Sequence, residues 1–221
     1  MAEKMILTIA VIGGTGKLGP GLAKRWAQAG YRVLIGSREA EKAERIAAEL
    51  NDELSIEGVV GYQNVEAAKQ ADIVVLTVKY TAHEAVVESL KDVVKDKIVV
   101  DTTARIDFKS PSPPKAPAAA GMAQAAFGPS TQVVAAFQTV PAHRLKGDAS
   151  EPLDLDVLVC SDNMPAAEEV IKLARAGGMR GYYAGGLENA IVIEGLTSIL
   201  MSMNEHYDSK TAAITVRGLA V

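Results

Sequence analysis

Met5-Ile6-Leu7-Thr8-Ile9-Ala10-Val11-Ile12-Gly13-Gly14-Thr15-Gly16-Lys17-Leu18-Gly19 is the stretch that decides the fold. Met5–Ile12 is a short run rich in apolar and β-branched residues and reads as a buried strand. It runs straight into Gly14-x-Gly16-x-x-Gly19. Leu18–Ala29 then reads as a helix, with Leu22, Trp26 and Ala29 on a helical period and Gly30 as the stop. A G-x-G-x-x-G is weak alone; between a strand and a helix in the first βαβ unit it marks a dinucleotide site. Gly14 and Gly16 permit a tight turn and close approach of the backbone to a pyrophosphate, and Gly19 lets helix and strand pack closely. The N–H groups that open the helix can then bind the anion. Lys17 is not part of a G-K-[ST] ending, so the loop is not a Walker loop.

Working outward, apolar runs alternate with amphipathic stretches. Strands are expected at Arg32–Gly36, Val59–Tyr62, Ile73–Val78 and Ile98–Asp101. Helices are expected at Glu39–Leu50, Val65–Gln70 and Thr81–Val94. This order implies an α/β fold of Rossmann type, a doubly wound and mainly parallel sheet with helices on both faces. Ser110–Pro117 holds four prolines in eight residues and reads as an extended surface loop. Beyond it come a helix at Ala118–Ala126, strands at Gln132–Phe137 and Asp156–Cys160, a helix at Pro165–Ala176, a short strand at Gly181–Ala184 and a very apolar helix at Glu188–His206. We therefore expect a dinucleotide-binding domain at 1–105, and at 106–221 a small C-terminal α/β extension packed on it.

The whole sequence of 221 residues leaves no room for a large helical substrate domain. It is 48% hydrophobic and 23% charged, with 23 Lys plus Arg against 27 Asp plus Glu, a formal charge of −4. That balance gives no general attraction to nucleic acid or an anionic membrane, so anion recognition must be local. No apolar run is long enough to span a bilayer and no signal-peptide pattern is present, so a cytoplasmic protein is expected. Cys160 is the only cysteine, which rules out an internal disulfide; with three scattered histidines no metal site is expected. His83 and His206 read as helix-surface groups, His143 as a surface-loop group, and Cys160 as a small buried hydrophobe.

The second strand indicates which dinucleotide. NAD-binding units place a carboxylate near its end to meet the ribose 2′-OH. Here the sequence is Gly36-Ser37-Arg38. A carboxylate would repel a 2′-phosphate, whereas Arg38 can grip it in a charge-assisted fork. Lys42 lies four residues on, on the same helix face. NADP is the expected nucleotide. Ligands in such sheets bind beyond the carboxyl ends of the strands, where Val78 and Tyr80 follow the fourth strand and Ala104 the fifth. Tyr80 reads equally as a half-buried aromatic at a strand end. No Tyr-x-x-x-Lys pair, Ser-His-Asp set or Cys-His set is apparent, so no catalytic acid or base is expected.

Ile12–Gly19, Gly36-Ser37-Arg38 with Lys42, Ala71–Thr77, Phe137-Gln138-Thr139-Val140-Pro141-Ala142, Asp156–Cys160 and Glu194-Gly195-Leu196-Thr197 together resemble the NADPH-dependent reductases of the deazaflavin coenzyme F420. The resemblance spans almost the whole chain in order. It implies that Thr15, Gly16, Lys17 and Leu18 hold the pyrophosphate of NADP(H), that Ser37, Arg38 and Lys42 hold its 2′-phosphate, and that Val78, Tyr80, Ala104 and Ala142 surround the rest. It sets the deazaflavin ring of F420, the co-substrate, against Gln138, Val140 and Pro141, with Leu196 and its apolar helix closing the pocket. It further implies a homodimer formed through such helices, and direct hydride transfer between the two rings. Gln138 stands where family members carry His, and Lys79 where some carry Pro. Two other readings stay open: a non-catalytic NADP sensor, given the lack of catalytic side chains, and a related reductase with a flavin or imine acceptor, given Gln138.

Overall fold

The computed structural model describes residues 6–107 and 109–219; Met5, expected in the first strand, lies outside them. The first half alternates without a break: β1 (Thr8–Ile12), α1 (Gly19–Gln28), β2 (Arg32–Ser37), α2 (Ala40–Leu54), β3 (Val59–Gln63), α3 (Asn64–Gln70), β4 (Ile73–Leu76), α4 (Tyr80–Leu90) and β5 (Ile98–Asp101). Then follow α5 (Ala119–Phe127), β6 (Gln132–Ala135), β7 (Asp156–Val159), α6 (Met164–Ala176), β8 (Arg180–Tyr183) and α7 (Ala190–His206). The main sheet has the order β3-β2-β1-β4-β5-β6, every pair parallel. From β1 the chain winds outward through β2 and β3, then returns to add β4 on the other side. The switch between β1 and β4 opens a crevice at the carboxyl ends of the strands.

The strand residues divide between two cores because alternate side chains point to opposite sheet faces. Ile9, Val11, Val33 and Ile35 pack on one face with Leu22 and Trp26 of α1 and Val170 and Leu173 of α6. Ala10, Ile12, Leu34, Val74 and Leu76 pack on the other with Ala67 of α3, Val87 of α4 and Ala123 of α5. Both faces are covered, so the strands are apolar throughout. Each fully buried branched side chain contributes about 1.5–3 kcal/mol of transfer free energy.

The sequence reading holds closely at most elements and shifts at a few. Ala29, expected on the buried face of α1, is its exposed C-terminal cap, and Arg25 is buried in that face instead. The fourth strand stops at Leu76 rather than Val78, and Thr77 turns back to donate to Ile12 O through both N and Oγ1, each at 2.9 Å. The strand expected to Phe137 ends at Ala135; Phe137 has φ of +70°, a left-handed conformation rare in a bulky residue, and reverses the chain there. Consequently β7 does not extend the main sheet. It pairs parallel with β8 in a two-stranded sheet, linked to β6 by an antiparallel bridge between Ala135 and Cys160. This small unit is anchored on α1. Trp26 Nε1 donates to Leu173 O at 2.9 Å, and the Arg25 guanidinium donates to the carbonyls of Asp148, Glu151 and Gly177 at 2.9–3.1 Å.

Candidate functional site

The loop after β1 is shaped by contacts that exclude side chains. A Cβ on Gly14 would lie 2.7 Å from Val11 O, and one on Gly19 would lie 2.6 Å from Gly14 Cα. The first turn of α1 therefore sits directly on the loop, which only glycine permits. Gly14 N donates to Gly36 O at 2.9 Å and Gly16 N to Gly13 O at 3.1 Å, closing the turn. Thr15 and Leu18 are half-buried, and Gly16 and Lys17 are exposed at its rim. The helix has no side-chain N-cap and no acidic residue in its first turn, so its opening N–H groups and the positive end of its dipole remain for an anion. The cradle fits a pyrophosphate.

Asn64 belongs to this loop and was missed in the sequence, where the third helix was read from Val65. It opens α3, is buried, and its Oδ1 accepts from Gly13 N at 3.2 Å. It also abuts Gly36, whose Cβ would fall 2.9 Å from the same oxygen. The signal available was a polar residue directly after a strand at a helix start.

At the end of β2, Ser37 is buried and its Oγ accepts from Glu39 N at 3.3 Å, whereas Arg38 is exposed. Lys42 is also exposed, but its ammonium lies 2.7 Å from Glu39 Oε1. That hydrogen bond and the Lys42 charge hold the Glu39 carboxyl below its usual range. The acidic neighbour, passed over in the sequence, competes with any phosphate for Lys42.

Val78 and Tyr80 flank the exposed Lys79 at the start of α4, both half-buried, and Ala104 is buried beyond β5. Val78 abuts Gly13, whose Cβ would meet Val78 Cγ1 at 2.6 Å. The Arg105 guanidinium lies 4.9 Å over the Tyr80 ring, a cation–π contact, and the His83 ring stacks near it at 6.4 Å between centroids. His83 corrects the sequence reading. It is 1% exposed rather than on the helix surface, and its Nε2 lies 2.6 Å from Asp101 Oδ2. The reading failed because Asp101 is 18 residues away and supplies the partner that makes burial tolerable.

Gln138, Val140, Pro141 and Ala142 follow the reversal at Phe137. Gln138 and Val140 are buried, Pro141 and Ala142 half-buried, and Ala142 opens a 3-10 turn to Lys146 that the sequence did not reveal. Gln138 Nε2 donates to Asp101 O at 2.9 Å, and Thr197 Oγ1 of α7 donates to Gln138 O at 3.2 Å. The loop after β6 is thus tied to both β5 and α7. Leu196 is half-buried on α7 beside Thr197. One turn earlier, Glu194 is fully buried; it accepts from Arg105 N at 2.9 Å and from Ala119 N, the opening amide of α5, at 2.6 Å. Burial pushes its carboxyl above the usual range, against the lowering effect of those two bonds. His143 and His206 are exposed; Cys160 is buried, which pushes its thiol up to about 11.

The family model for NADP oxidoreductase, coenzyme F420-dependent, matches residues 8–105. The F420-dependent NADP reductase of Methanothermobacter thermautotrophicus is 39% identical over 99% of this chain and 98% of its own. That of Methanocaldococcus jannaschii is 36% identical over 97% of this chain and 100% of its own. The crystal structure of a putative F420-dependent NADP reductase from Arthrobacter sp. FB24 shares the fold, with a TM-score of 0.80, 23% identity, and coverage of 96% of this chain and 100% of that one. The likeness covers nearly the full length of both reductases, and the chain belongs to the F420-dependent NADP oxidoreductase family.

Proposed function

We propose that this oxidoreductase, whose family couples NADP(H) to F420, passes a hydride directly between the two rings with no side chain acting as acid or base on the reacting atoms. The observation that carries this reading is the commitment of the buried titratable groups at the carboxyl edge of the sheet. Asp101 is engaged by His83 and by Thr103 N, and Glu194 by two backbone amides. When bound, NADPH gives up a hydride from C4 of its nicotinamide and F420 takes it at C5, with one proton from solvent.

The chain's own task is then to bind, orient and exclude water. The loop from Gly14 to Gly19 holds the pyrophosphate, with Thr15, Gly16, Lys17 and Leu18 nearest it. Ser37 and Arg38 take the 2′-phosphate, and Lys42 joins them by leaving Glu39. Val78, Tyr80, Ala104 and Ala142 line the nicotinamide half, and their small or flat side chains suit close ring approach. Gln138, Val140, Pro141 and Leu196 face the deazaflavin. In this scheme residues 1–105 are the NADP-binding half, and 106–221 complete the second ring's pocket.

The same scheme has the protein acting as a homodimer through α7, on which Val192, Ile199 and Met203 are 60%, 54% and 45% exposed. No helix of the described residues is long and apolar enough to cross a membrane, so this apolar face is not a transmembrane span. A dimer mass in sedimentation that falls to a monomer in Ile199→Glu is expected; a wild-type monomer contradicts it. For the reaction, NADPH oxidation should track loss of deazaflavin absorbance one for one. Binding of NADPH without turnover on F420 would favour a sensor instead, and turnover on flavins or imines alone a different acceptor.

A further inference from the structure

Asp101 is a hub that the hydride scheme leaves without a task. It ends β5 and is fully buried. Its Oδ2 lies 2.6 Å from His83 Nε2, its Oδ1 accepts from Thr103 N at 2.9 Å, and its main-chain oxygen accepts from Gln138 Nε2 at 2.9 Å and Ala136 N at 3.2 Å. A buried His–Asp pair is a poor source of stability compared with apolar packing, so its presence calls for another account. Three of these four partners also carry one buried polar atom without a partner among the described residues: His83 Nδ1, Thr103 Oγ1 and Gln138 Oε1.

Gln138 shows what such a hub achieves. A side-chain amide can be turned either way, offering two donors at one end or an acceptor at the other. The main-chain carbonyl of Asp101 only accepts, so the NH2 end must face it and Oε1 becomes the free end. Thr197 fixes the main chain of the same residue from α7. The amide is therefore held at both ends of its residue, and the orientation depends on where the end of β5 is held.

We propose that His83 and Asp101 are positioning residues: by fixing the carboxyl end of β5 they hold Gln138 with Oε1 as a lone buried acceptor for a ring N–H of the second substrate. This rests on the reading that the deazaflavin lies against Gln138. A buried acceptor without a donor is costly, and an imide-type N–H on the ring relieves it when the ring is correctly seated. Thr103, held by Asp101 Oδ1, shares the same support.

The test combines a spectroscopic and a kinetic arm on the full chain. In the protein without nucleotide, the Gln138 side-chain amide, assigned by its loss in Gln138→Ala, gives a hydrogen-bonded, slowly exchanging NH2 signal. That signal moves and exchanges faster in His83→Ala and returns in His83→Gln, whose amide reaches Asp101 as the imidazole does. In turnover, His83→Ala lowers kcat/KM for F420 by about tenfold and leaves the KM for NADPH within about twofold. In a Gln138→Ala background the same substitution has no further effect. An unmoved amide signal, or effects of His83→Ala and Gln138→Ala that simply multiply, overturns the proposal. Should His83→Ala not fold, Asp101→Asn, which keeps the acceptor for Thr103 N, carries the same comparison. If Gln138→Ala leaves F420 kinetics untouched, the ring-site reading fails, and the amide signal alone then decides the positioning role.

Discussion

Asn64→Ala removes a support that both nicotinamide nucleotides share. Asn64 Oδ1 accepts from Gly13 N at 3.2 Å, at the point where the chain leaves β1 for the phosphate loop. The bond is neutral and at the long end of the range, so its net contribution is about 1 kcal/mol. Alanine leaves the Gly13 amide without its acceptor and the loop less ordered before ligand arrives. Ordering it then draws on binding energy, and about 1 kcal/mol corresponds to a roughly fivefold rise in Kd. The pyrophosphate is common to both nucleotides, so NADPH and NADH lose affinity by the same factor. Calorimetric titration of both nucleotides into wild type and variant, with a melting curve alongside, reads this directly. The melting temperature falls by about 2–4 °C for a chain of this size. A selective loss of NADPH, or unchanged affinity for both, refutes the assignment of Asn64 to the phosphate loop.

Arg38→Ala separates the nucleotides where Asn64→Ala does not: loss of a charge-assisted fork on the 2′-phosphate weakens NADPH by about 10- to 100-fold and spares NADH. Glu39→Gln frees the Lys42 ammonium now 2.7 Å from the Glu39 carboxylate, so NADPH affinity rises, most at low salt, and the same titrations check it. Arg25→Met deprives the carbonyls of Asp148, Ala149, Glu151 and Gly177 of their donor and lowers unfolding stability by about 3 kcal/mol, read from urea midpoints. The raised carboxyl of Glu194 means that, as pH rises above the ordinary carboxylate range, the unfolded chain releases that proton before the folded one. Stability therefore falls with rising pH through that window, and in Glu194→Gln the slope flattens in denaturation midpoints measured from acid to neutral pH.

The phosphate loop was legible because its chemistry is local: three glycines, a strand and a helix are contiguous in the chain. The position of Ser37 and Arg38 at the carboxyl end of the second strand was legible for the same reason. What escaped the sequence depends on partners brought from a distance. His83 reads as a surface histidine until Asp101 is folded against it, and Asn64 reads as a loop residue until Gly13 arrives 51 residues away in sequence. Arg25 occupies the helical position between Leu22 and Trp26 that apolar periodicity would fill with a hydrophobe. Carbonyls from 148 to 177, which no local pattern announces, accept from its two terminal nitrogens. The second small sheet was hidden by one residue, Phe137, whose left-handed backbone turns the chain out of the main sheet before β7 begins.

Hydride passage between the two rings is tested most directly by isotope. NADPH carrying deuterium at the transferred position of C4 is incubated with F420 and the enzyme in ordinary water, and the reduced deazaflavin is analysed by mass spectrometry and NMR. Direct transfer predicts that the deuterium appears at C5 on a single face, with one label per nucleotide oxidised and no washout into solvent. Loss of the label to water, or label on both faces, would contradict it and require a protein group or a free intermediate between the two rings.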